Sequence, residues 1–350
     1  GCAAVRSGRQ PRRIVFLLQG MLFAGMTSST LTVWSNLPFP PGALAALTEG
    51  LGAHRLVRAI EMPEYNQPLG RPDRLLPEAD IAFGQPEADQ CAASPRLLWV
   101  HLTSAGYTTF DAADVRAALI ARVLPVTTSS SVYAEPCAQH VLGYMLADAR
   151  QFPRSLREQT LHRGWNTTPT RAASSLLAGQ LVLLVGFGAI GTRLAELLAP
   201  FGMRVVGFRR RPRGDEPVTT RPVTDLPAWL PRADFVVDLL PAAVDTVDFF
   251  DTAKLAAMKP GAVFINIGRG NTVVQDALLA ALRGKLRAAY LDVTLPEPLP
   301  PEHPLWSEPK CVITPHVAGG HIDEYDRLVA LFLDNFQRFL RGQPLLGRVY

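Results

Sequence analysis

The chain has 350 residues, 48% of them hydrophobic and 19% charged, a composition that can bury real cores and excludes a disordered polymer. One hydrophobic core rarely grows much past ~250 residues, so this length predicts about two domains. The net charge of +4 is mild. Much of the excess sits in one cluster, Arg209, Arg210, Arg211 and Arg213, which reads as local chemistry rather than a nucleic-acid surface.

The first 25 residues read as an extension outside the fold. The stretch 14–26, preceded by Arg12 and Arg13, faintly resembles a signal peptide, but no clean small-residue cleavage site follows it. No run reaches the ~20 apolar residues of a membrane span. Cys2, Cys91, Cys137 and Cys311 are scattered, without CxxC or zinc-ligand spacing. That predicts a reduced, cytoplasmic protein with neither a disulfide framework nor a metal.

From Thr30 short apolar runs alternate with amphipathic ones. LTVW predicts a strand, ALAALTEGLG a helix, and RLVRAI, DIAFG, LLWVHL and ARVLPV four further strands. This is the pattern of a small α/β domain with a mainly parallel sheet. A polar, hinge-like TTSSS (127–131) precedes a long helix over 134–150. The pattern then restarts with LVLLV (181–185), an apolar run of the kind buried on both faces of a sheet. Strands RVVGF, FVVDLL, AVFINI, AAYLDV and CVITP follow, with helices at 190–198, 251–258 and 274–282, and a last helix over 323–341. The expected architecture is two Rossmann-like or flavodoxin-like α/β domains with parallel sheets. Residues 26–127 with 319–350 form the substrate domain, and 128–318 the dinucleotide domain. A ligand is expected in the cleft between them.

Gly186, Gly188 and Gly191 stand in G-x-G-x-x-G spacing after a buried strand and at the opening of a helix, which is the context a dinucleotide fingerprint requires. Gly186 allows the tight turn, Gly188 lets the backbone reach a pyrophosphate, and Gly191 lets helix and strand pack closely. The helix start at Ala189 and Ile190 offers free N–H groups and a positive dipole end. Where an acid would hold the ribose 2′-hydroxyl of NAD, the next strand ends instead in Arg209, Arg210 and Arg211. Guanidinium groups suit a 2′-phosphate, so the reading is NADP(H) preferred over NAD(H).

Three further segments, MKPGAVFINIGRG (258–270), LDVTLPEPLPPEHPLW (291–306) and ITPHVAGG (313–320), resemble the D-isomer-specific 2-hydroxyacid dehydrogenase family, and within it the glyoxylate/hydroxypyruvate reductase branch. The resemblance covers roughly 95–350. It implies that His316 is the acid/base, that Glu297 bonds its second ring nitrogen and favours the protonated ring, and that Arg269 clamps the substrate carboxylate with its planar fork. It also places Asp292 at the nicotinamide carboxamide and Pro241 and Ile267 against the cofactor. WVHLTSAGYTTF (99–110) resembles the loop whose backbone N–H groups, around Ala105 and Gly106, hold the carboxylate. VYAEPCAQHVLGYMLADAR (132–150) resembles a helix that helps build a homodimer.

The sequence departs from the pattern in places. Gln139 stands where an acid is expected before His140, PAAVDT (241–246) replaces a proline- and threonine-rich loop, and the Arg269-to-Glu297 spacing is one residue short. The implied function is reversible reduction of a small 2-keto acid to the D-2-hydroxy acid. Two alternatives remain: an NAD-dependent phosphoglycerate-type dehydrogenase, which usually carries an extra regulatory domain, and a non-enzymatic dinucleotide-binding corepressor. The retained Arg/Glu/His set and the lack of long added tails speak against the corepressor.

Overall fold

The computed structural model describes residues 30–63 and 70–349. The expectations for residues 1–25 lie outside the described residues. The chain divides into two compact units, one formed by the described residues up to Val132 together with those from Ile322 onward, the other by Tyr133–His321.

The first unit carries β1 (Thr32–Ser35), α1 (Pro41–Leu51), β2 (Arg55–Arg58), β3 (Ile81–Gly84), α2 (Ala88–Ala93), β4 (Trp99–Leu102), α3 (Ala113–Ala121) and β5 (Val126–Thr128). The strands form one parallel sheet in the order β2-β1-β3-β4-β5. The expected strand ARVLPV starts later than its apolar letters suggest. Val123 turns the chain at the end of α3 with a left-handed φ of 54°, and only Val126 pairs with the sheet. Thr127 and Thr128, read as hinge, belong to that strand.

The second unit opens within α4 (Ser130–Ala149), followed by α5 (Phe152–Arg157), α6 (Thr167–Ala173), β6 (Leu181–Val185), α7 (Ala189–Leu198), β7 (Arg204–Arg209), β8 (Thr219–Pro222), α8 (Leu226–Trp229) and β9 (Phe235–Asp238). It continues through α9 (Thr252–Ala257), β10 (Val263–Asn266), α10 (Gln275–Arg283), β11 (Ala288–Leu291) and β12 (Cys311–Ile313). The seven strands run parallel in the order β12-β11-β10-β9-β6-β7-β8. The order reverses beside β6, where a doubly wound sheet opens a crevice. Strand β6 shows why its sequence is uniformly apolar. Leu181, Leu183 and Val185 join one core while Val182 and Leu184 join another, so the sheet is covered on both faces.

The last helix, α11 (Glu324–Leu340), belongs to the first unit. Its buried face, Leu328, Val329, Phe332, Phe336 and Phe339, repeats at helical spacing. Phe332 stacks on both Phe83 of β3 and Trp99 of β4, with centroids 4.0 and 5.2 Å apart. Among the described residues no helix is long and apolar enough to cross a membrane, and no cluster of acidic, histidine or cysteine side chains could hold a metal ion.

Candidate active site

In the larger sheet the carboxyl ends of five neighbouring parallel strands, β12, β11, β10, β9 and β6, lie in a row. His316, Asp292, Arg269, Pro241 and Gly186 each follow one of these ends by one to three residues. Residues far apart in sequence are thereby brought to the edge where open α/β sheets bind ligands.

The turn after β6 depends on glycine. Gly186 has φ 92°, and a Cβ there would lie 2.7 Å from the backbone of Leu239. Both Gly186 and Phe187 donate their N–H to the Phe208 carbonyl, at 2.9 and 2.8 Å, which aims the chain into α7. No side chain caps that helix at Gly188, so its first N–H groups remain available to an anion. A cavity of about 550 Å³ opens there, lined by Gly188, Ala189, Thr192, Arg193, Glu196, Arg209 and Arg213. Ile190 and Gly191 form the next residues of the same helix turn. This donor set and the glycine cradle fit the phosphates of a dinucleotide.

The arginines are not all alike. Arg209 donates from Nη1 to Glu216 at 3.1 Å, and Glu216 also accepts the N–H groups of Arg213 and Gly214, each at 2.8 Å. The Arg213 N–H contributes most to drawing the Glu216 carboxyl down to about 2, with Gly214 and Arg209 adding to it against the effect of burial. Arg210 is exposed and lies 3.4 Å from Asp245. It does not line the cavity, whereas Arg213 and Arg193 do. Arg193 is held by Glu135 and Glu196. The sequence did not single out Arg193, which stands in the second turn of α7.

After β10, Asn266 shapes the turn that presents Arg269. Its Oδ1 accepts the Gly268 N–H at 2.8 Å and its Nδ2 donates to the Arg269 carbonyl at 3.1 Å. Gly270 admits no side chain, because a Cβ would overlap the carbonyl of Thr294. Arg269 itself is half-buried and donates to the Gly268 carbonyl at 2.7 Å. Burial lowers its pKa, while Glu297 and Cys137 favour its charge. Ile267 is buried beside it. Pro241 is exposed, and Thr246 closes its loop by donating to the Pro241 carbonyl at 2.6 Å.

Past β11, Glu297 accepts the Thr294 N–H at 3.0 Å through one oxygen and meets Nδ1 of His316 at 2.8 Å through the other. Burial alone would raise the Glu297 carboxyl. The His316 hydrogen bond and charge, the Thr294 N–H and Arg269 together hold it below its ordinary value. His316 adopts a left-handed φ of 54°, unusual for a residue with a Cβ. Asp292 braces this turn by accepting the N–H groups of Val317 and Ala318, both at 2.9 Å, and the Thr314 hydroxyl at 2.5 Å. Thr314 in turn receives the Tyr144 hydroxyl at 2.5 Å and lies 3.2 Å from Nε2 of His140. The sequence did not single out Tyr144 or Thr314. Gln139, in place of the expected acid, simply donates to Glu135 at 2.6 Å.

Ala105 and Gly106 lie in the first unit, just past β4. Ser104 Oγ donates to the Gly106 carbonyl at 2.5 Å, and no described residue accepts from the N–H of Ala105 or Gly106.

Residues 142–318 match the family described as D-isomer specific 2-hydroxyacid dehydrogenase, NAD binding domain. The chain is 34% identical over 233 residues to the human glyoxylate reductase/hydroxypyruvate reductase, covering 64% of this chain and 69% of that one. It is 32% identical over 318 residues to D-3-phosphoglycerate dehydrogenase of Mycobacterium tuberculosis, covering 87% of this chain and 56% of that one. Among solved structures it resembles the NADPH-dependent glyoxylate/hydroxypyruvate reductase of Sinorhizobium meliloti in complex with NADP and sulfate. The TM-score there is 0.73 at 27% identity, over 91% of this chain and 98% of that one. The chain belongs to the D-isomer specific 2-hydroxyacid dehydrogenase family.

Proposed function

We propose that this dehydrogenase reduces a small 2-keto acid, glyoxylate or hydroxypyruvate being the first candidates, to the D-2-hydroxy acid, reversibly and with NADPH preferred to NADH. The observation that carries the reading is the grouping of Arg269, Glu297 and His316 beyond three adjacent strand ends, with Nδ1 of His316 on Glu297 at 2.8 Å. That bond leaves Nε2 as the ring nitrogen free to meet substrate. With the ring protonated, Nδ1–H donates to Glu297 and Nε2–H passes its proton to the carbonyl oxygen. Arg269 binds the carboxylate through its fork and fixes the carbonyl carbon for attack. A bound reduced nicotinamide supplies the hydride to that carbon. In the reverse direction neutral His316 takes the hydroxyl proton.

The turn at Gly186, Gly188, Ala189, Ile190 and Gly191 is assigned to the pyrophosphate, and Pro241 and Ile267 to cofactor packing. One Asp292 oxygen carries a single hydrogen bond, from Ala318, and so retains a lone pair for the nicotinamide amide. The preference for NADPH rests on Arg209 with Arg213 at the cavity, and exposed Arg210 in the same loop is assigned to the 2′-phosphate with them. Glu216 accepts from Arg209 and from two backbone N–H groups, and so holds the arginine loop in place. The Tyr133–His321 unit is assigned to the dinucleotide. The other unit is assigned to the substrate, through the N–H groups of Ala105 and Gly106.

Homodimer formation through the dinucleotide unit is supported by exposed apolar side chains, Phe152, Leu156, Leu161 and Trp165, along α5 to α6. Free, buried Cys91 and Cys137 suit the reducing cytoplasm. Similarity to the mycobacterial enzyme favours a second reading, 3-phosphoglycerate chemistry. An initial-rate panel of glyoxylate, hydroxypyruvate, pyruvate and phosphohydroxypyruvate, each with NADPH and NADH, tests both. Highest kcat/KM for an unphosphorylated keto acid with NADPH supports the first. Preference for the phosphorylated acid with NADH overturns it in favour of the second, and no turnover at all would leave a binding protein.

A further inference from the structure

Strand β9 ends in a carboxyl group that the reaction does not use. Asp238 is fully buried, and one of its oxygens accepts the Leu240 N–H at 2.9 Å, at the start of the loop that leads to Pro241. Its other oxygen lies 2.5 Å from the hydroxyl of Thr272. That same hydroxyl lies 2.6 Å from the carbonyl oxygen of Arg269. Thr272 has one proton and two short contacts to oxygens that are both ordinarily acceptors. A carbonyl cannot supply the missing proton, and two lone pairs do not face each other at these distances without one. The Asn266 amide donates to the Arg269 carbonyl at 3.1 Å and reaches the Thr272 hydroxyl at 3.5 Å, but neither N–H puts a proton between the hydroxyl and its two short oxygen contacts.

We infer that Asp238 works as a neutral carboxylic acid, donating to Thr272 so that Thr272 can donate to the Arg269 carbonyl, and that it is therefore a positioning residue for the carboxylate clamp. The relay ties the Leu240 loop to the turn presenting Arg269. The surroundings agree. The groups meeting the carboxyl, the Leu240 N–H and the Thr272 hydroxyl, are neutral, its strand neighbours in register are Val185 and Asn266, and no charged group contributes to its ionisation. Burial pushes it up to about 7. When the proton leaves, Thr272 must turn its hydrogen to the carboxylate. The Arg269 carbonyl then keeps only the Asn266 amide, and the turn loosens. Carboxylate affinity therefore falls as pH climbs through about 7. The loss of one net hydrogen bond makes the effect roughly 2- to 10-fold.

The inference rests on Arg269 gripping the substrate carboxylate, and the test separates the two. Propionate has a carboxylate but no carbonyl oxygen for His316, so its competitive inhibition constant on the NADPH-saturated enzyme reads the clamp without the acid/base step. In the parent enzyme that constant should rise as pH climbs through about 7. In Asp238→Asn, whose amide donates to Thr272 at every pH, it should stay flat. Thr272→Val should bind propionate weakly and without a pH limb. Infrared difference spectra of parent minus Asp238→Asn should show a protonated-carboxyl band on the acid side that vanishes on the alkaline side, an observable independent of Arg269. A missing band, or a pH limb that survives in Asp238→Asn, overturns the inference. If Arg269→Ala bound propionate as well as the parent, the clamp reading would fall and this use of the relay with it.

Discussion

The Nδ1 atom of His316 sits 2.8 Å from a carboxylate oxygen of Glu297. The hydrogen bond and charge of His316 help to hold the Glu297 carboxyl low against its burial. Keto-acid reduction consumes the ring proton and is fast only where the ring is protonated. Glu297→Gln removes the carboxylate that orients the ring, and should lower kcat for reduction and for hydroxy-acid oxidation alike, with the keto-acid KM changed far less. His316→Ala should cost on the order of 10²- to 10⁴-fold in turnover. An undiminished kcat in Glu297→Gln, measured with chemistry rate-limiting, would contradict the pairing.

Cofactor choice is predicted to reside in the arginine loop. Arg209→Asp removes a guanidinium from the cavity and brings a second carboxylate beside Glu216, 3.1 Å from the present Arg209 nitrogen. The variant should prefer NADH where the parent prefers NADPH, read as a reversal of the kcat/KM ratio. Equal or better use of NADH by the parent would sink the assignment.

The apolar ridge along α5 to α6 should be covered in solution. Trp165, in the loop before α6, is 94% exposed and Leu161 65%, and large exposed apolar patches mark interaction surfaces. Sedimentation equilibrium should give a dimer for the parent and a shift toward monomer for Leu161→Asp with Trp165→Asp. A parent that stays monomeric at micromolar concentration would contradict the dimer.

Much of the fold was legible because its signals are local. LVLLV announced a strand buried on two faces, and the glycine spacing placed the turn after it. The segments around Arg269, Glu297 and His316 were readable as motifs, and the structure shows why they meet: they follow neighbouring parallel strands. What stayed hidden depends on contacts between distant segments. Thr314 reads as an ordinary residue before a proline, yet it links Tyr144 to Asp292. Asp238 interrupts the apolar run FVVDLL and gives no sign that Thr272, 34 positions on, meets its carboxyl. Strand β8, TTRP at the sheet edge, has no apolar pattern to betray it. The apolar letters of ARVLPV begin before the strand does, because Val123 is an exposed turn residue with φ 54° and Leu124 is buried ahead of β5.

The central claim, that Arg269 clamps the carboxylate of a 2-keto acid, is tested most directly by Arg269→Ala. Removing one partner of a desolvated charge pair costs ~2 to 5 kcal/mol, roughly 30- to 5,000-fold in binding, and lysine should restore only part of it because a point charge cannot reproduce the fork. The predicted result is a steep rise in KM for the keto acid, with NADPH affinity by fluorescence titration changed far less. An unchanged keto-acid KM, or an equal loss of NADPH binding, would contradict the claim.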